Sequence, residues 1–228
     1  MNDYNIILDT DSYKASHWLQ YPPNTTKVFS YIESRGGRHD ATVTVMFGLQ
    51  YYLMKYLRNP ATIQDVYEAE EFFAAHGEPF NKAGWLHIVN EHNGYLPLKV
   101  RAVPKGTVVP THNVLATVEN TCPHCFWVTS WVETMLLRIW YPITVATESR
   151  FIKSIIKSYL ELTADDPAAE LPFKLHDFGS RGVSSQESAG SWSKASTPTS
   201  MTSIPVMPAQ SLGTSNLYNL GEGHRVFA

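Results

Sequence analysis

The stretch Lys174-Leu-His-Asp-Phe-Gly-Ser-Arg-Gly-Val-Ser-Ser-Gln-Glu-Ser-Ala-Gly190 decides how this chain is interpreted. Its apolar start predicts a strand over residues 173–178. Such a strand would bring an aromatic ring (Phe178), a glycine turn and a cation (Arg181) to one strand end, where sites of α/β proteins gather. A flat ring beside a guanidinium suits a planar polar ligand that carries a carbonyl or a phosphate. The alternative interpretation places Phe178 in the core and leaves Arg181 as a surface charge.

Seven further motifs precede this stretch: Leu8-Asp-Thr-Asp-Ser-Tyr-Lys-Ala-Ser-His17, Gln20-Tyr-Pro-Pro-Asn24, Ser30-Tyr-Ile-Glu-Ser-Arg35, Phe47-Gly-Leu-Gln-Tyr51, Ala102-Val-Pro-Lys-Gly106, Asn113-Val-Leu-Ala-Thr-Val-Glu-Asn120 and Trp140-Tyr-Pro-Ile-Thr-Val-Ala-Thr147. In this order and at these separations, the motifs resemble nicotinamide phosphoribosyltransferase. That family joins nicotinamide to 5-phosphoribosyl-1-pyrophosphate. Each motif is short, and the specificity of the match comes from their common register between Tyr4 and Gly190.

The resemblance implies roles for four side chains. Phe178 would stack on one face of the nicotinamide ring, and Tyr13 of a partner subunit would cover the other face. Arg181 would reach the substrate amide and the ribose phosphate, while Arg35 would face the pyrophosphate across a homodimer interface. Without the resemblance, Tyr13 is interpreted as an ordinary buried ring and Arg35 as half of a surface salt bridge.

The resemblance also implies the cofactors and the activity. Mg²⁺ would accompany phosphoribosyl pyrophosphate, and ATP would act as an activator. The expected reaction gives nicotinamide mononucleotide and pyrophosphate, with nicotinate (or quinolinate) as the alternative substrate. Family members are longer, so we expect a truncated amino-terminal part that is inactive alone. No catalytic residue and no metal ligand is assigned to this chain.

The expected fold is α/β (α+β). Residues 1–145 are predicted to form an amino-terminal mixed α/β domain, and residues 146–190 to begin an incomplete α/β barrel. The segment 191–228 departs from the family pattern, is rich in Ser and Thr and holds a single acid, Glu222. Two interpretations of this segment remain, a disordered tail or, as we favour, a frameshift after Gly190.

Composition excludes several classes of function. The chain is 43% hydrophobic and 17% charged with a net charge of −3, which is typical of a soluble globular protein. Nucleic acid is an unexpected partner because binding to its phosphates needs clustered Lys and Arg. No run approaches the ~20 apolar residues that cross a bilayer. The amino terminus lacks the basic and apolar regions of a signal peptide, so we expect a cytoplasmic protein.

The two cysteines, Cys122 and Cys125, support a hypothesis from another class. A Cys-x-x-Cys pair that opens a helix is typical of thiol oxidoreductases, because the helix dipole stabilises a thiolate. A cytoplasmic dithiol redox protein is therefore the alternative function. A zinc site is less expected, since the pair with His124 falls short of four well-spaced ligands.

Hydrophobic periodicity and turn residues predict the remaining elements. We expect strands over residues 5–9, 27–33, 98–103, 107–109 and 114–119, and helices over 46–58, 62–77, 82–92, 124–140 and 144–162. A loop over 163–170 would precede the strand that carries Phe178.

Overall fold

The computed structural model describes residues 4–37, 42–176 and 178–189. The strands are β1 (Phe29–Glu33), β2 (Val43–Val45), β3 (Leu98–Ala102), β4 (Val108–Pro110) and β5 (Val114–Asn120). The α-helices are α1 (Leu49–Tyr56), α2 (Ile63–His76), α3 (Lys82–Glu91), α4 (Val128–Trp131), α5 (Glu133–Leu137), α6 (Trp140–Thr163) and α7 (Pro167–Glu170). Segments Ser12–Leu19, Pro123–Cys125, Leu171–Phe173 and Gly179–Gly182 are 3₁₀ helices. The fold is thus mixed α/β, as the sequence predicts.

Strand β5 organises the larger sheet. It lies between β1 and β3 and is antiparallel to both, with Thr117 opposite Tyr31 and Val118 opposite Val100. The second sheet pairs β2 with β4. Both sheets are small, and the described strands form no closed barrel.

Two large hydrophobic clusters form the core. In the first, residues of β3 and β5 pack against helices α1 and α5 and the start of α6, with Leu53, Val118 and Met135 among the buried members. The second gathers α2, α3 and α4 around two fully buried indoles, Trp85 and Trp131. Their ring centroids lie 5.4 Å apart in an edge-to-face arrangement, which aromatic pairs favour.

The helix boundaries follow local chemistry. Thr62 and Asp65 form the predicted capping box, in which each side chain binds the backbone N–H of the other residue. Helix α2 ends at Gly77, whose φ of +85° lies in the left-handed region that glycine tolerates. The predicted helix over 124–140 follows a helical path but is divided into short segments. At its end, the N–H groups of Arg138 and Ile139 bond to the carbonyl three residues earlier, as in a 3₁₀ helix, and not to the one four residues earlier.

Helix α6 begins earlier than predicted and includes Pro142. Proline is tolerated in the first turn because the N–H groups there have no partner inside the helix. The helix continues past residue 145, the predicted division between two domains, and that division stays a prediction. Short helix α7 lies in the predicted loop.

The predicted strand over residues 5–9 is wrong. The Asn5 side chain accepts a hydrogen bond from Ile7 N–H, and backbone bonds from Leu8 to Asn5 and from Asp9 to Ile6 close turns. Asparagine commonly stabilises such turns through its own side chain. Ile6 and Ile7 are both buried, which explains the apolar run without a strand.

The predicted strand over residues 173–178 is also wrong. Phe173 ends the 3₁₀ helix Leu171–Phe173, and Phe178 directly precedes the 3₁₀ helix Gly179–Gly182. A strand needs a neighbour to bind its backbone N–H and C=O groups, and no described strand runs beside this segment. The predicted disorder or frameshift at 191–228 lies outside the described residues. None of the described helices has the length and apolar character needed to span a membrane.

Gly94 is the position where a methyl group is expected to cost most. Its φ is +78°, and an added Cβ would lie 2.1 Å from the carbonyl oxygen of Ala61. Gly77 has a similar φ but open space around it, so it is a matched control. We expect Gly77→Ala to lower the free energy of unfolding by about 1–2 kcal/mol, and Gly94→Ala to lower it by about 1–3 kcal/mol more. Urea denaturation measures both, and equal losses would contradict the close contact.

Candidate functional site

The motif Leu8–His17 is fixed to helices α4 and α5 by polar side chains. The hydroxyl of Thr10 donates a hydrogen bond to the carbonyl oxygen of Trp131 at 3.0 Å. The hydroxyl of Thr134 donates to Asp11 Oδ2 at 2.6 Å and accepts from Asp11 N–H at 3.1 Å. These bonds join residues far apart in sequence, so the motif has one defined position on the helices.

Asp9 and Arg138 strengthen this attachment. Both guanidinium NH groups of Arg138 donate to the two carboxylate oxygens of Asp9, and the Tyr4 hydroxyl donates to the same carboxylate. The hydrogen bond with Asp9 raises the pKa of Arg138 against the effect of burial. A two-pronged pair of this kind fixes orientation as well as distance.

Lys14 makes the second charged attachment. Its side chain is only 2% exposed, and its Nζ lies 2.5 Å from Glu133 Oε2 on helix α5. Burial alone would lower the pKa of Lys14, but the hydrogen bond and charge of Glu133 outweigh burial, so the pKa is raised. The carboxylate thus keeps a buried ammonium charged.

These attachments present Tyr13 to solvent. Its side chain is 53% exposed, which excludes the interpretation of Tyr13 as a buried ring. Lys14 Nζ lies 4.9 Å from the ring centroid, and the His17 ring lies 5.3 Å away. The ring is therefore available to cover a flat ligand that another surface would complete.

Phe178 and Arg181 lie on the last described segment. Phe178 is 76% exposed, so the interpretation as a core residue does not hold, and its described ring neighbour is His176 at 6.3 Å. Arg181 is exposed within Gly179–Gly182. Neither Arg181 nor Arg35, which is also exposed, forms a salt bridge with a described residue.

The structure does not bring the four predicted residues together. No described hydrogen bond, ion pair or ring contact links Tyr13 or Arg35 with Phe178 or Arg181. The assigned roles of these side chains in ligand binding stay predictions.

One contact that the sequence did not predict joins the stretch that carries Phe178 to helix α1. Glu187, in the stretch that carries Phe178, forms an ion pair with Lys55 of helix α1. Burial, and then the charge of Glu187, raises the pKa of Tyr51 to about 12. Tyr51 is the last residue of the motif Phe47–Tyr51. This motif and the stretch that carries Glu187 belong to the same family pattern, which was the sequence signal available for their contact. The pair holds the last described segment against α1.

Comparison with known proteins gives the affiliation of the chain. Residues 5–100 match the family model "Nicotinamide phosphoribosyltransferase, N-terminal domain". A relative of Xanthomonas campestris pv. campestris named nicotinamide phosphoribosyltransferase is 58% identical over 185 residues, which are 81% of this chain and 39% of the relative. The chain carries an amino-terminal segment of this family. An Acinetobacter baylyi protein of the same name is 32% identical and is likewise matched over 81% of this chain and 39% of its own length. The chain thus spans about two fifths of the length of these two relatives.

A solved structure supports the fold. The crystal structure of human nicotinic acid phosphoribosyltransferase matches 82% of this chain and 34% of its own, with a TM-score of 0.56. At 19% identity, this similarity concerns the fold alone.

The pair of Lys14 and Glu133 generates a prediction on pH. Glu133→Gln leaves a buried ammonium without its carboxylate, which we expect to cost about 1–3 kcal/mol of the free energy of unfolding at neutral pH. Because the folded-state pKa of Lys14 is raised, the stabilisation is complete below the ordinary value of 10.5 and is lost as the pH rises through the folded-state value. The deficit of the variant should therefore shrink at strongly alkaline pH.

The matched control is Glu161→Gln. Glu161 pairs with Lys157 one turn away on α6, and both side chains are more than half exposed. Such a pair contributes little, and its loss should cost less than about 0.5 kcal/mol. Urea denaturation of both variants at several pH values measures these losses. An equal loss of unfolding free energy in Glu133→Gln and Glu161→Gln would contradict a buried, charged Lys14.

Proposed function

We propose that this chain supplies one wall of a nicotinamide phosphoribosyltransferase site, acting in NAD biosynthesis. The observation that carries the proposal is the exposure of two aromatic rings, Tyr13 and Phe178, on segments held by ion pairs. Exposed large aromatic rings that are fixed in position, with cations nearby, favour a flat polar ligand. Membership of the family supports the same conclusion.

The reaction moves a phosphoribosyl group between two partners. The bond from the anomeric carbon to the pyrophosphate oxygen breaks, and the ring nitrogen of nicotinamide supplies the electron pair for the new carbon–nitrogen bond. Positioning of the ring and stabilisation of the leaving pyrophosphate supply most of the catalysis in such a step. Phe178 would position the ring, with Tyr13 of a second subunit on the opposite face.

The cations of the chain would serve the charged parts of the substrates. Arg181 lies three residues from Phe178, so it can reach the amide and the phosphate beside a stacked ring. Arg35 would face the pyrophosphate from the second subunit of a homodimer. Both side chains are exposed and lack an ion pair with a described residue, which supports their availability.

Mg²⁺ would enter with phosphoribosyl pyrophosphate and stabilise charge on the leaving group. The one described cluster of at least three His, Cys, Asp or Glu ligands contains imidazoles and thiols, which do not suit Mg²⁺. We therefore place neither Mg²⁺ nor ATP on these residues, and we assign no step of the reaction to them. The free thiols of Cys122 and Cys125 are in keeping with a cytoplasmic location.

The amide is the proposed substrate in preference to nicotinate. The relatives with 58% and 32% identity are both named for nicotinamide. The structural neighbour named for nicotinic acid is only 19% identical and supports the fold alone.

A chimera tests the proposal. Residues 4–189 would replace the aligned segment of the Xanthomonas campestris relative, which supplies the remainder of its own chain. We expect the chimera to form nicotinamide mononucleotide from nicotinamide and phosphoribosyl pyrophosphate, with nicotinate a poor substrate. Phe178→Ala should remove about 1–3 kcal/mol of ring binding and raise the KM for nicotinamide about fivefold or more.

Phe173→Ala is the matched control because Phe173 is also exposed, at 58%, on the same segment. Its KM should match that of the parent chimera. A folded chimera without activity, or equal KM values for the two variants, would contradict the assignment of Phe178. The 228-residue chain assayed alone should show no turnover, because its described residues supply only one wall.

A further inference from the structure

Four metal-binding side chains meet at the end of helix α3. His87 lies on α3 and His92 directly follows it, while Cys122 precedes and Cys125 ends the 3₁₀ turn after β5. The four donor atoms all lie within 4.8 Å of one another. Two segments that are distant in sequence therefore bring two imidazoles and two thiols to one point.

The spacing of the donors fits a tetrahedral zinc ion. Zn–S bonds of about 2.3 Å and Zn–N bonds of about 2.05 Å at a tetrahedral angle place sulfur and nitrogen about 3.6 Å apart. Cys122 Sγ and His87 Nε2 lie 3.6 Å apart. The sequence also shows the spacings of zinc sites, His-x₄-His and Cys-x₂-Cys, in the reverse of their usual order.

His92 supplies an independent sign of a missing partner. Its Nε2 is buried and makes no hydrogen bond to any described residue. A buried polar nitrogen without a partner costs free energy, and a metal ion would remove that cost.

We propose that His87, His92, Cys122 and Cys125 bind one Zn²⁺ as a closed structural site. Two thiolates with two imidazoles favour zinc over magnesium or calcium, and four protein ligands leave no open position for a substrate. The ion would tie the end of α3 to the turn between β5 and α4, beside the hydrophobic cluster that contains Cys125. This proposal departs from the expectation that the chain holds no metal ligand.

The sequence hides this site because its two halves are far apart along the chain. His124, between the two cysteines, is the histidine that the sequence offers as a ligand, but it is exposed and lies outside the cluster. Its ring is 5.2 Å from that of His87. Both line a cavity of about 360 Å³, which gives metal ions and chelators a path to the cluster.

The test is metal content of the complete 228-residue chain, purified from zinc-supplemented cells and measured by mass spectrometry of the metal. We expect about one Zn²⁺ per chain in the parent protein. Cys125→Ser and His92→Gln should each retain less than about a tenth of it, since loss of one ligand removes most of the affinity. His124→Gln, the matched control, should retain the parent content.

A measurement on the unaltered chain covers variants that fail to fold. Titration with a thiol-specific mercurial should release zinc in step with modification of Cys122 and Cys125, and Co²⁺ in place of zinc should give the absorption of a tetrahedral thiolate site. A parent chain without stoichiometric zinc or cobalt would overturn the proposal. So would zinc that Cys125→Ser retains, or a reversible Cys122–Cys125 disulfide in a metal-free chain, which would favour the dithiol redox function.

Discussion

Two charged contacts fix the motif Leu8–His17 to helix α5 and its C-cap. Asp9 pairs with Arg138 and Lys14 with Glu133, across more than a hundred residues of sequence. Each contact removes charge from water, so each requires its partner in place. Together they fix the start of the chain and set the position from which Tyr13 faces solvent.

The same attachment links the two hydrophobic clusters. The chain start contributes Ile6, Ile7 and Ala15 to the cluster built on α2, α3 and α4. Helix α5, on the other side of the contact, contributes Met135 and Leu136 to the first cluster. The proposed zinc site lies at the edge of the second cluster, between α3 and the turn after β5. The candidate site thus rests on contacts distant in sequence.

Much of this fold follows from local sequence signals. The capping box at Thr62, the stop at Gly77 and the periodicity of α1 and α3 predict helices correctly because those signals act within a few residues. The strand predicted over 173–178 fails because a strand depends on a neighbour, which no local pattern reveals. The exposure of Phe178 and the contact of His87 with Cys122 also depend on residues that are distant in sequence. The family motifs supplied the candidate residues, whereas their contacts required the structure.

The most direct test of this account is a double-mutant cycle between Asp9 and Arg138. Asp9→Asn, Arg138→Gln and the double variant would be compared by urea denaturation of the 228-residue chain, since each substitution removes a charge and leaves a polar side chain. We expect a coupling free energy of about 1 kcal/mol or more, because Asp9 is only 10% exposed and binds both guanidinium NH groups. Additive losses, with a coupling below about 0.3 kcal/mol, would show that the motif is held by other contacts and would contradict the account.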